Sequence, residues 1–166
     1  EKLGFKPIEA DLRRIEGAKS TKAIFELVAD FHERGIGGLF HAGVSPDARN
    51  SSFYTFQMSQ GGLGLPDRDY YLKDDFARQR EAYRAHVTKM FTLIGEKPDA
   101  AAAHAGIVFD LETVLAKASR TRVELRDPNK NYNKMATAEL AAKHPAIAWP
   151  RYLADSGLGN LPYAIV

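Results

Sequence analysis

Cysteine is absent from this 166-residue chain. Its absence removes disulfides, zinc ribbons and thiol catalysis together. The compartment stays open, because many periplasmic proteins also lack disulfides. Long apolar runs are missing too, and no stretch approaches the roughly 20 residues of a membrane-spanning helix. The longest uncharged stretch, residues 50–66, is rich in serine, glutamine and glycine. Neither charge is in excess: 23 basic residues face 21 acidic ones, for a net charge of +2. The signs are well mixed, so no basic face points to nucleic acid. No signal peptide opens the chain. Because residue 1 is Glu1 rather than methionine, this says nothing of what precedes it.

Catalytic motifs are equally scarce. The five histidines are His32, His41, His86, His104 and His144, and no two stand four apart as two ligands on one helical face would. The sole His-Glu dipeptide is His32-Glu33, and Ile36 stands where H-E-x-x-H needs its second histidine. No metal or cofactor is expected in this chain, and all five histidines read as single surface residues. Gly61, Gly62 and Gly64 precede a helix, but their spacing fits neither the Rossmann pattern nor the P-loop. Pro66-Asp67 would also set a negative charge where phosphate lies. A sharp turn with glycines at positive φ, Gly64 among them, is the preferred reading. No serine sits in G-x-S-x-G. Asp67, Asp69, Asp74 and Asp75 alternate with Arg68, Lys73 and Arg78, which fits a solvated, ion-paired turn better than an acid/base pair. Tyr70-Tyr71 could form a ligand platform, but core packing is favoured.

What is present is helical periodicity. Hydrophobic residues make up 45% and charged residues 27%, the profile of one globular domain. Pro7 opens a helix with Ile8, Leu12 and Ile15 on one face. Ser20 or Thr21 caps a second, with Ile24, Leu27, Val28 and Phe31 in line, and Gly35 stops it. Residues 39–44 and 52–59 read as a β-hairpin. A long helix is expected over 73–94, carrying Phe76, Tyr83, Val87, Met90, Phe91 and Ile94 on one side, with Gly95 at its end. Asp99 is expected to cap the next helix, whose buried stripe is Ile107, Val108, Leu111, Val114, Leu115 and Ala118. Residues 120–134 read as a polar loop. Short helices follow, one capped by Thr137 and one over 149–154 with Pro150 in its first turn. Residues 161–166 are strand-like, and an unpaired apolar edge there would favour a chain that continues. The fold class is therefore mainly α: a multi-helix domain with a small β-hairpin.

Three blocks carry a resemblance. The stretch GGLGLPDRDYYL runs from Gly61 to Leu72, with Gly61, Gly62, Gly64, Pro66, Arg68, Asp69 and Tyr70 in it. LETVLAKAS follows from Leu111 to Ser119. RDPNKNYNKM runs from Arg126 to Met135, with Asp127 and Tyr132 in it. Trp149 lies where an aromatic is expected after a proline-containing loop. In this order the blocks resemble neprilysin-family zinc metallopeptidases, especially the bacterial ones, across most of residues 1–166.

That resemblance implies a part of the N-terminal, non-catalytic helical region, a fragment of a larger two-lobed peptidase. In the family this region faces a thermolysin-like catalytic domain across a closed, water-filled cavity. The zinc ligands and general base lie downstream, in H-E-x-x-H and E-x-x-x-D motifs that are missing here. The implied partners are the catalytic domain of the same parent chain and, for the parent, small peptides; zinc is the parent's cofactor. Substrate-gripping residues of the family match no position here, so the catalytic set is empty. The lack of cysteine favours a bacterial parent, and the family implies a periplasmic, membrane-anchored or secreted location. The alternative is a stand-alone helical interaction module without the catalytic half. Arg68, Asp69, Arg126 and Asp127 sit in two polar loops between Leu65, Leu72, Leu125 and Tyr132. They are read as groups that orient the loops, with Arg68 and Asp69 expected in partly buried charge pairs.

Overall fold

Local chemistry sets the first helices. The computed structural model describes residues 3–166. A short 3-10 turn at Lys6–Ile8, with Pro7 in it, leads into α1 (Glu9–Gly17). Ser20 then caps α2 (Thr21–Glu33), its Oγ accepting from the Ala23 N–H at 3.2 Å. Gly35 and Gly95 follow α2 and α4 (Ala77–Leu93) with φ of 73° and 103°, as the stop positions anticipate. The hairpin forms from β1 (Phe40–Asp47) and β2 (Asn50–Gln60). Only Ala48 and Arg49 remain in its turn, so the strands run closer to the turn than the sequence reading expects. The turn is tight because Asp47 Oδ1 accepts from the Arg49 N–H at 2.8 Å.

Internal contacts divide the chain into two compact units. One holds Leu12–Gly61 and Leu125–Val166. Its sheet has the order β1-β2-β4-β3, with β3 at Lys134–Ala136 and β4 at Tyr163–Ile165. β4 pairs antiparallel with β3 and parallel with β2, so the strand-like stretch 161–166 supplies an interior strand. The expected unpaired edge does not exist, because β3 covers it. Against the sheet pack α2, α7 (Thr137–Lys143) and α8 (Trp149–Asp155). The core is Ala29, Phe56, Leu140, Trp149, Tyr152, Leu153 and Ala164. Leu140 is fully buried, and its truncation to alanine costs about 2–5 kcal/mol.

The other unit includes Gly62–Glu124. Instead of one helix from residue 73, it has α3 (Asp69–Leu72), a 3-10 turn at Asp74–Phe76 and then α4. The break occurs because Lys73 is extended, with φ −101° and ψ 143°. α4 and α3 pack on α5 (Pro98–Ala118). Lys97, not Asp99, is the N-cap of α5, because Pro98 takes the first helical position and leaves Asp99 inside the first turn. Thr137 likewise lies inside α7, behind Ala136. The polar stretch 120–134 is not all loop: it holds a 3-10 turn at Glu124–Arg126, α6 (Pro128–Asn131) and the start of β3.

Apolar faces come out differently from the periodicity. Ile8, Ile15 and Ile24 are exposed, and α2 buries Val28 and Ala29 instead. In α5 the buried residues are Ala101, Ala105 and Ala116. The expected stripe of Ile107, Leu111 and Val114 faces outward.

Candidate functional site

Two loop assemblies hold most of the sequence-selected residues. The first is built on α5. Glu112 lies on the packed side of α5, and its two carboxylate oxygens are matched one to one. Tyr71 Oη donates to Glu112 Oε2 at 2.8 Å, and Tyr83 Oη donates to Oε1 at 2.8 Å. Tyr71 Oη also accepts from the Leu65 N–H at 2.9 Å, which fastens the glycine-rich loop to α5. Tyr71 is buried and stacks on Phe109, ring centroids 5.5 Å apart. Burial, then the Glu112 charge, holds both phenols well above the usual tyrosine range, so they donate and do not ionise.

Within the same loop, Gly62 takes φ of 75° while Gly64 does not have positive φ. Gly64 is required for space. A Cβ there would overlap Tyr83 Oη and lie 2.6 Å from its Cζ. The expectation of positive φ thus belongs to Gly62, and the close approach to Gly64. Gly61, from the other unit, has its own backbone in close approach: a Cβ would meet Phe40 Cα at 3.0 Å. Pro66 is exposed.

Among the described residues Arg68 pairs with no carboxylate. Its Nε donates to the Ala116 carbonyl at 3.1 Å, near the C-terminal end of α5 where a cation is favoured. Asp69 pairs with Lys73 at 2.7 Å, with side chains 32% and 59% exposed, so the charge pair expected to be partly buried lies largely at the surface. The Asp69 N–H donates to Asp67 Oδ1 at 2.8 Å, and Arg122 lies 3.6 Å from Asp67 Oδ2. Tyr70 stacks on Phe76 at 4.1 Å, which favours packing over a ligand platform. Arg80 Nη1 donates to the carbonyls of Tyr70 and Lys73 at 3.0 and 2.5 Å and pins the end of α3.

The second assembly joins the Arg126–Met135 block to the hairpin turn. Asp127 caps α6, accepting from the N–H groups of Asn129 and Lys130 at 3.0 and 3.3 Å. Asn131 Nδ2 donates to the Leu125 carbonyl at 2.6 Å. Tyr132 Oη donates to buried Asp47 Oδ2 at 3.0 Å, and the Arg49 guanidinium lies 4.2 Å over the Tyr132 ring. The Arg49 N–H lowers the Asp47 pKa most, with Tyr132 adding to it. Arg126 is exposed.

One histidine departs from the surface reading. His32 packs edge-on against Phe40 and Tyr152, at 5.0 and 6.0 Å between centroids, with Nδ1 2.7 Å from Tyr152 Oη. Its Nε2 is buried beside the Phe40 backbone without a hydrogen bond of normal geometry. Burial holds its pKa below the ordinary value, and nearby His41 adds to this.

Sequence reasoning overlooked Glu112, Tyr83 and Asp47. The signal for Glu112 was present, as an acid flanked at helical spacing by Phe109 and Ala116. Asp47 carried no such signal, because its partner is 85 residues away. Chemically, these groups hold loops in place; none is aimed at an open cavity. A cleft of about 690 Å³ in the first-described unit is lined by Arg14, Glu26, Asp30, Arg151 and Asp155. Its guanidiniums are engaged by Asp30 at 2.8 Å and Glu26 at 2.9 Å. Among the described residues no group of three or more His, Cys, Asp or Glu is placed to hold a metal ion.

The comparisons place this geometry. The whole chain, residues 1–166, matches the family model for the N-terminal part of peptidase family M13. Human endothelin-converting enzyme 1 is 34% identical over 162 residues, 92% of this chain and 21% of its own length. An endothelin-converting enzyme homolog of Locusta migratoria is 33% identical over 122 residues, 73% of this chain and 17% of its own. The crystal structure of Mycobacterium tuberculosis zinc metalloprotease Zmp1 in complex with inhibitor is 28% identical. It superposes with a TM-score of 0.91 over 99% of this chain and 26% of that one. The chain thus spans about a quarter or less of the proteins it matches, and it belongs to peptidase family M13, the neprilysin family of zinc metallopeptidases, as a counterpart of their N-terminal, mainly helical part.

Proposed function

We propose that this chain is a non-catalytic scaffold and cavity-closing segment of a zinc metalloendopeptidase that hydrolyses small peptides. The observation that carries the proposal is the extent of the match. Almost the whole chain superposes on one quarter of a zinc metalloprotease, while the chain has neither H-E-x-x-H nor a ligand cluster among its described residues. Water activation then belongs to the remainder of the parent. Here Glu112 with Tyr71 and Tyr83, and Asp47 with Tyr132, tie two polar loops to their neighbouring elements. A rigid cap of this kind would admit short peptides to an enclosed site and keep folded proteins out.

The partner in this reading is the catalytic domain of the same parent chain, and zinc is the cofactor of that domain. The parent is proposed to be periplasmic, membrane-anchored or secreted, which cell fractionation tests. The proposal as a whole is tested by reading the gene downstream and measuring metal content. The expected result is H-E-x-x-H followed by E-x-x-x-D in the same frame, one zinc in the longer polypeptide and none in this chain. A frame with neither motif sinks the proposal in favour of a stand-alone interaction module, and stoichiometric zinc on this chain sinks its non-catalytic part.

A further inference from the structure

Helix α5 is packed on one side and apolar on the opposite side. Its packed side carries Ala101, Ala105, Phe109 and Ala116, with Tyr71 stacked on Phe109 and Glu112 held by Tyr71 and Tyr83. Ala100, Ala103, Ile107, Leu111, Val114 and Ala118 are all exposed. At 3.6 residues per turn they fall within an arc of about 80° opposite the inner side, and the stripe is about 27 Å long. Its large members are 64%, 52% and 62% exposed at Ile107, Leu111 and Val114. His104 and Asp110 lie on its flanks, so the stripe is uncharged with a polar rim. An amphipathic surface helix turns its second side to water. One that is packed on one side and apolar on the other belongs to the interior of a larger structure.

We propose that this stripe is an interior contact surface, covered by a further helix of the longer polypeptide to which the chain belongs. The proposal rests on the reading given under Proposed function and adds to it the place where the rest of the parent docks. The occupant follows from length. The protein on which this chain superposes is nearly four times as long, with 74% of its residues outside the matched part, since the match covers 26% of it. Small alanines at both ends and branched residues in the middle suit a helix packed at close distance along the axis.

The test uses the longer polypeptide. Leu111→Cys introduces a thiol into a part of the sequence that has none, and maleimide labelling is followed by peptide mapping in native and denatured protein. The expected result is labelling at least about 100-fold slower in the native state, as for a site exposed only on local opening. Ile107→Cys and Ala118→Cys should behave alike, and Ala118→Cys serves if Leu111→Cys does not fold. Native labelling within about tenfold of the denatured rate would overturn the inference. So would protection that disappears on dilution, which would make the occupant a second copy, or a reading frame that stops at Val166. Peptide cleavage is assayed on the same sample. Protection without cleavage upholds the docking surface and sinks the peptidase reading; cleavage without protection does the reverse.

Discussion

Tyr83 fills the space that a side chain on Gly64 would need. The two glycines of this loop are therefore constrained for different reasons. Gly64→Ala forces overpacking and is expected to cost about 1–3 kcal/mol. Gly62 needs positive φ, which asparagine adopts more readily than other residues. Gly62→Asn should thus be milder than Gly62→Val, while Gly64→Asn should be no milder than Gly64→Ala. Urea unfolding of the four variants separates the causes. Equal losses for the two asparagine variants would contradict this assignment.

Glu112 is the acceptor for two phenols at once. Glu112→Ala leaves both hydroxyls without that partner, and a loss on the order of 2–4 kcal/mol is expected. Glu112→Gln keeps one acceptor oxygen and should fall between the alanine variant and wild type. A Glu112→Ala protein as stable as wild type would show that the network does not hold the loop.

Asp69 of the glycine-rich block and Asp47 of the hairpin turn should separate in the same assay. Asp69 pairs on the surface with Lys73, so Asp69→Ala should change stability by only about 0–1 kcal/mol. Asp47 is buried and holds both the hairpin turn and Tyr132, so Asp47→Ala should be clearly the more damaging. The reverse order in denaturation midpoints would contradict the placement of these carboxylates.

His32 is expected to make stability depend on pH. Its folded pKa lies below the ordinary 6.5, so the unfolded chain takes up the proton first as pH falls. The contribution is complete above about pH 6.5 and declines as pH drops below it. His41 approaches from β1, Tyr152 from α8, and Glu33 is the neighbouring acid on α2 itself. Urea midpoints measured between pH 7.5 and 5.5, within the range where histidine titrates, should fall, and His32→Gln should flatten that slope. An unchanged slope in the variant would remove His32 as the cause.

Helix positions were legible because caps and stops act locally, as Ser20, Gly35 and Gly95 illustrate. The hairpin was legible from its turn residues. β3 was not, because a three-residue strand carries no period and exists only through Tyr163–Ile165. The direction of α5 was hidden for a different reason. Periodicity picks out the side with the larger apolar residues; the side that packs instead is the one where Glu112 meets Tyr71 and Tyr83 and Phe109 meets Tyr71, and Ile107, Leu111 and Val114 face outward. Arg68 and Asp69 looked like partners by proximity in sequence, but the end of α5 offered Arg68 a carbonyl instead.

The central claim is that the chain lacks the peptidase chemistry and that its parent has it. The most direct measurement is the rate at which a short quenched-fluorescent peptide is cleaved by the longer polypeptide and by this chain alone, each with and without a zinc chelator. The account predicts chelator-sensitive cleavage by the longer polypeptide and none by this chain. Chelator-sensitive cleavage by this chain alone, purified free of other peptidases, would contradict it.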